Sequence, residues 1–158
     1  IQLRSDVERL RLHGRWGCAS PEPGSEGGRQ EANPYAPAVT DRLYGEVLLQ
    51  AAEAALAGGL SVVVDATFLK RGQRQAYLNL ARRLGAGFGI LACYVPLNLA
   101  LDRLELRRRE QNDPSEANAD VVMAQIAGLE PLDASEQAWV VNVSEGSRKL
   151  SPADLPSP

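Results

Sequence analysis

The run Ser61-Val62-Val63-Val64 ends on a carboxylate, Asp65, and segments with helical spacing flank it on both sides. Four small or apolar residues are too few for an isolated helix. Three successive valines suit a strand buried on both faces, as in a parallel sheet. A charge at the end of such a strand is costly to bury unless something there needs it. In open α/β sheets the carboxyl ends of the strands are where ligands bind. Asp65 therefore marks a candidate site, and the neighbouring sequence limits what that site can be.

Residues 1–3 read as the tail of a strand, and 7–13 as a short helix. Residues 14–37 are rich in Gly, Pro, Ser and Glu and read as a long flexible loop. Leu43, Val47, Ala51 and Ala55 place one apolar face on a helix over 38–57, which Gly58-Gly59 terminates. A strand over 60–66 follows, then a helix over 72–84 with Tyr77, Leu80, Ala81 and Leu84 on one face. The spacing predicts a strand over 88–95 and a helix over 97–109 opened by Pro96. Asp113-Pro114-Ser115-Glu116 is a helix start signal for a segment reaching about residue 127. A short strand over 139–143 closes the order, and 147–158 read as a disordered tail. Strands alternating with helices predict an α/β fold with a mainly parallel sheet.

The chain has 158 residues, one domain's worth, and its 44% hydrophobic and 23% charged content is that of a globular protein. A net charge of -3 supplies no global pull toward nucleic acid or a membrane surface. Cys18 and Cys93 form no CxxC pair, and Cys93 in the apolar run 90–95 reads as a buried, inert thiol. A metal site or disulfide framework is not expected, and the default location is cytoplasmic. No stretch has the length of a membrane span.

Three groups fall at or beyond strand ends. Asp6 and Arg9 share a face of the first helical turn after the first strand. They are either a general base held by a guanidinium or an N-cap aspartate with a solvated arginine. Asp65, with Thr67 beside it, is either a carboxylate that orients water on a magnesium ion or a cap for the next helix. Arg103, Arg107, Arg108 and Arg109 either clamp a phosphoryl group or lie on an exposed helix face, with Glu105 and Arg109 as an i,i+4 pair. A nucleic-acid patch is disfavoured because no aromatic residues are interleaved for stacking.

The order of these pieces resembles a known family. Arg4-Ser5-Asp6-Val7-Glu8-Arg9, Tyr35 through Leu43, Val62-Val63-Val64-Asp65-Ala66-Thr67-Phe68, Asp113-Pro114-Ser115-Glu116-Ala117 and Glu130-Pro131-Leu132 are similar to P-loop kinase-like domains of the AAA type. In bacteria these are often fused to an aminoglycoside phosphotransferase-like domain, and they are related to polynucleotide kinases. The resemblance implies a three-layer P-loop kinase-like domain over 1–146, with a lid-like segment over 103–116. It implies ATP and Mg2+ as cofactors and a hydroxyl-bearing acceptor. Asp6 would be the base and Arg9 its partner. Asp65 would be the magnesium-side carboxylate acting through water, and Arg103 and Arg107 the lid clamp. Thr67, Arg108 and Arg109 would contact the nucleotide.

The family's first strand, Gly-rich G-x-x-x-x-G-K-[ST] loop and first helix have no counterpart in the 158 residues; the stretch 24–28 contains no Lys. The expectation is a kinase-like domain with little activity in this form. The alternative is a non-catalytic interaction module that pairs with another domain or chain, such as a phosphotransferase-like one.

Overall fold

The computed structural model describes residues 1–13, 35–93, 95–110 and 119–141. The chain divides into two compact units, Ile1–Ala66 and Thr67–Pro158.

In the first unit, β1 (Gln2–Arg4) leads directly into α1 (Ser5–Leu12). Next come α2 (Pro37–Arg42), a π-helical turn (Leu43–Val47), α3 (Leu48–Ala57) and β2 (Val63–Asp65). The single helix expected over 38–57 is thus one continuous rod with a π turn inside it. The extra residue of that turn shifts the apolar face by one position. Leu43, Tyr44, Leu48, Ala52 and Ala55 are buried, so Leu48 and Ala52 take the places expected for Val47 and Ala51. Leu43 and Leu48 are fully enclosed, each contributing about 1.5–3 kcal/mol. The helix ends as its glycines predict. Leu60 N–H donates to Ala55 O at 3.0 Å and Gly59 N–H to Leu56 O at 2.9 Å, with Gly59 at φ 77, a Schellman closure.

β1 and β2 pair in parallel, with Gln2 opposite Val63, Leu3 opposite Val64 and Arg4 opposite Asp65. The expectation of a strand buried on both faces is corrected here. Val62 and Val64 are half-buried, but Val63 is 53% exposed. Side chains alternate between faces along a strand, and here one face is partly covered while the other is open. Among the described residues β1 is the one strand beside β2.

The second unit holds α4 (Arg71–Leu84), β3 (Ile90–Leu91), α5 (Leu97–Glu110), α6 (Ala119–Gly128), α7 (Ala134–Gln137) and β4 (Val140–Val141). β3 and β4 pair in parallel, Ile90 opposite Val140 and Leu91 opposite Val141. α4 buries Tyr77, Leu78, Leu80 and Ala81 and ends in a second Schellman closure at Gly85, φ 62. The strand expected over 88–95 forms ladder bonds only at Ile90–Leu91. Cys93 lies beyond them and is exposed, which corrects the reading of a buried thiol. Cys18, most of the 14–37 loop, the start signal at 113–116 and the 147–158 tail lie outside the described residues.

Both units are thus α/β, each built around a parallel strand pair. Among the described residues no helix is long and apolar enough to cross a membrane.

Candidate functional site

The parallel register sets the carboxyl ends of β1 and β2 side by side and Arg4 across from Asp65. Gln2 and Arg4, two apart on β1, share a face, and both reach the same carboxylate oxygen. Gln2 Nε2 donates to Asp65 Oδ2 at 3.1 Å, and Arg4 Nε lies 3.6 Å from that atom. Arg4 Nη2 is also 3.9 Å from Asp6 Oδ2, at the start of α1. One guanidinium therefore stands between two carboxylates at the strand ends.

Neither carboxylate serves as the helix cap that would make it merely structural. The N-cap of α1 is Arg4, which makes no side-chain capping bond, and Asp6 is the second helical residue. The N-cap of α4 is Lys70, five residues beyond Asp65. The three side chains are about a third to a half exposed, and ion pairs of that kind contribute about 0–1 kcal/mol. These two pairs therefore add little to stability.

Arg9 departs from the solvated alternative. It is buried, with its guanidinium 4.9 Å over the Tyr35 ring and Nη1 donating to Thr40 Oγ1 at 3.4 Å. It thereby ties α1 to the start of α2. Arg4 also brings a guanidinium to 3.9 Å from Asp6, and the sequence reading gave that residue no role. The signal for it was the β1 alternation Gln2, Leu3, Arg4.

A second polar group lies in the other unit, around the turn that leads into α4. Thr67 is exposed. Phe68 has φ 45 and is the one non-glycine residue with positive φ among the described residues; that conformation costs about 1–3 kcal/mol. Its carbonyl accepts from Arg74 Nη1 at 2.9 Å, and its ring meets Tyr77 edge-on at 5.0 Å. Arg74 also grips Glu136 with two bonds, Nε to Oε1 at 2.6 Å and Nη2 to Oε2 at 3.0 Å. Both side chains are only 6% exposed. The bond to Arg74 holds the Glu136 carboxyl below its ordinary range, and the bond to Glu136 raises the guanidinium.

Glu136 is in turn fixed by a capping box. Asp133 Oδ1 accepts from Ser135 N–H at 2.8 Å and Glu136 N–H at 3.0 Å, and Asp133 N–H donates to Glu136 Oε2 at 3.1 Å. Two exposed pairs flank it, Lys70–Glu130 at 3.2 Å and Arg71–Asp133 at 2.8 Å. Glu130 also accepts from the Arg71 backbone N–H at 2.7 Å, the largest cause of its lowered pKa. Sequence reasoning passed over Arg74, Glu136 and α7; the D-x-x-E spacing at Asp133 was the available signal.

Arg103, Arg107 and Arg109 are exposed on α5 in this second unit. Arg109 Nε and Nη2 both lie 3.3 Å from Glu105 Oε1, the i,i+4 pair foreseen as the alternative to a phosphate clamp. The side chain of Arg108 and residues 111–118 of the lid-like segment lie outside the described residues.

A family model described as AAA domain matches residues 1–132 of the 158. The chain belongs to the AAA domain family. No curated protein and no solved structure matches it. Membership gives it P-loop NTPase and kinase-like character, with nucleotide binding as the family trait.

For an AAA domain the donor set is informative. Among the described residues no group of three or more His, Cys, Asp or Glu side chains could enclose a metal ion. Mg2+ fits such a site nonetheless, because it keeps several waters and takes one or two carboxylates together with substrate phosphates. Asp6 and Asp65 are carboxylates of that kind, and both face the Arg4 guanidinium here.

Proposed function

We propose that this AAA domain is an ATP-dependent phosphotransferase domain acting on a hydroxyl-bearing acceptor. The observation that supports it best is the strand-end cluster, in which Asp6 and Asp65 flank Arg4 and neither caps a helix. Asp6 would accept the acceptor's hydroxyl proton as that oxygen bonds the γ-phosphorus of ATP and the bond from that phosphorus to the β-phosphate oxygen breaks, with ADP as the leaving group. Arg4 holds both carboxylates in place, and Arg9, anchored on α1 by Tyr35 and Thr40, is the partner of Asp6. Asp65 orients water on the metal side. Thr67 and Arg109, with Arg108, contact the nucleotide, while Arg103 and Arg107 close over it as a lid clamp. Bound ATP and Mg2+ supply the phosphoryl group and neutralise the charge that its transfer develops. No G-x-x-x-x-G-K-[ST] cradle occurs within these 158 residues, which alone are expected to bind ATP weakly and to turn over negligibly.

The test uses the natural full-length protein with ATP and Mg2+, following phosphate release and transfer. Asp6→Asn should lower kcat by about 100-fold or more, and Asp65→Asn should raise the Mg2+ concentration required. A natural protein that neither binds nor hydrolyses ATP would sink this reading.

Among the described residues β2 pairs with β1 alone, which favours a second reading. An unpaired strand edge is a template for another strand, so the domain would serve as a non-catalytic module paired with a fused or separate phosphotransferase-like domain. Co-purification of a stable complex that binds no nucleotide supports this reading; a monomer that binds ATP counts against it.

A further inference from the structure

The left-handed turn at Phe68 is unfavourable for an aromatic residue, so something must hold it. Arg74 is the residue placed to do so. Its Nη1 bonds the Phe68 carbonyl at 2.9 Å while its other two nitrogens are committed to Glu136. Nη2 also reaches Pro131 O at 3.5 Å. Glu136 cannot drift, because the capping box at Asp133 fixes its backbone and one carboxylate oxygen. The next residue of the turn is held from the same side, with Glu130 N–H donating to Leu69 O at 2.9 Å. The two carbonyls that follow the exposed Thr67 are thus both held, 69 directly by Glu130 N–H and 68 by Arg74, which Glu136 fixes in turn.

We infer that Arg74 and Glu136 are a positioning pair: by fixing the Phe68 carbonyl they set the direction in which Thr67 faces a nucleotide. This rests on the reading above that Thr67 contacts the nucleotide. Neither Arg74 nor Glu136 touches substrate on this account; both act through the turn. A guanidinium fork is required, since its three nitrogens serve the Phe68 carbonyl, the Glu136 carboxylate and the Pro131 carbonyl at once. A lysine could bond one partner and would release the others.

The experiment compares full-length wild type with Glu136→Gln, Arg74→Lys, Thr67→Ala and the double variant Thr67→Ala/Glu136→Gln. Hydrogen exchange at the amides of residues 67–70 reports the turn without any nucleotide. In Glu136→Gln and Arg74→Lys it should speed up by about tenfold, the scale of one lost charged hydrogen bond, with the amides of α3 unchanged as a check on folding. With ATP and Mg2+, KM for ATP should rise by about tenfold, the scale seen when an outer-shell partner of a site is lost. kcat per folded molecule should change less.

Thr67→Ala should raise KM alone, and adding Glu136→Gln should raise it little further, because both changes remove the same contact. A purely structural pair would lower the folded fraction and leave KM unchanged, which overturns the inference. Unchanged exchange at 67–70 in a folded Glu136→Gln protein overturns it as well, as does an additive double variant. A wild type that binds no ATP overturns the functional reading and the orienting role with it, while the exchange data alone still decide whether the pair holds the turn.

Discussion

Two sets of arginine and carboxylate side chains in this protein have similar chemistry and opposite settings. Arg4 lies between Asp6 and Asp65 at 3.9 and 3.6 Å, and all three are substantially exposed. Arg74 holds Glu136 through two short bonds with both side chains almost wholly buried. The first arrangement is loose and leaves its carboxylates accessible; the second satisfies every nitrogen of the guanidinium within the protein. Exposed pairs contribute little to stability because water and salt screen them. A buried pair has already lost its hydration, so removing either member strands a charge. The buried set therefore serves to hold structure, and the exposed pairs add little to it.

The largest effect expected from this contrast is on stability. Glu136→Ala leaves Arg74 buried without its carboxylate and should destabilise the protein by about 3–5 kcal/mol. Denaturant unfolding of the second unit reads this directly. A loss below about 1 kcal/mol would place the Arg74–Glu136 pair in the same class as the exposed cluster and break the comparison.

The sequence revealed elements more readily than it revealed this pair. Helical spacing located α3, α4 and α5 to within a few residues, because an amphipathic face repeats locally. The valine run located β2, and with it Asp65. The π turn was illegible: nothing in Leu43-Tyr44-Gly45-Glu46-Val47 signals an inserted residue until burial shows the face displaced from Val47 to Leu48. Arg74 and Glu136 are 62 positions apart, so no local period links them, and a buried arginine looks like a solvated one until its partner is placed. Arg4 was hidden for a related reason. Its role depends on the register that sets it opposite Asp65, and register is a property of two strands.

The comparison sharpens further in acid. The folded-state pKa of Glu136 lies below the ordinary glutamate value of 4.5, through its bond to Arg74. Its contribution to stability is fully present above about 4.5 and is lost as pH falls through the lower folded value. Glu130 and Asp133 are lowered in the same direction, by the Arg71 backbone N–H and the Ser135 side chain respectively. Stability should therefore decline as pH falls below about 4.5, chiefly through Glu136. Glu136→Gln should flatten that decline, since the variant has no proton to gain at this position. An acid limb of the same slope in the variant and the wild type would show that the buried pair is not what acid breaks.

The smallest effect should come from the exposed cluster itself. Asp65→Asn keeps the shape of the side chain and an oxygen able to accept from Gln2, while removing a charge 3.6 Å from Arg4 Nε. Its unfolding free energy should stay within about 1 kcal/mol of wild type, and the difference should shrink further in high salt. Arg4 retains Asp6 as a neighbour at 3.9 Å, so no charge is stranded. If Asp65→Asn unfolds as readily as Glu136→Ala, Asp65 is a structural anchor, and the case for a ligand at the strand ends loses its main support. If stability holds while the Mg2+ requirement of the full-length protein rises, the two sets of charges differ in purpose as they do in exposure.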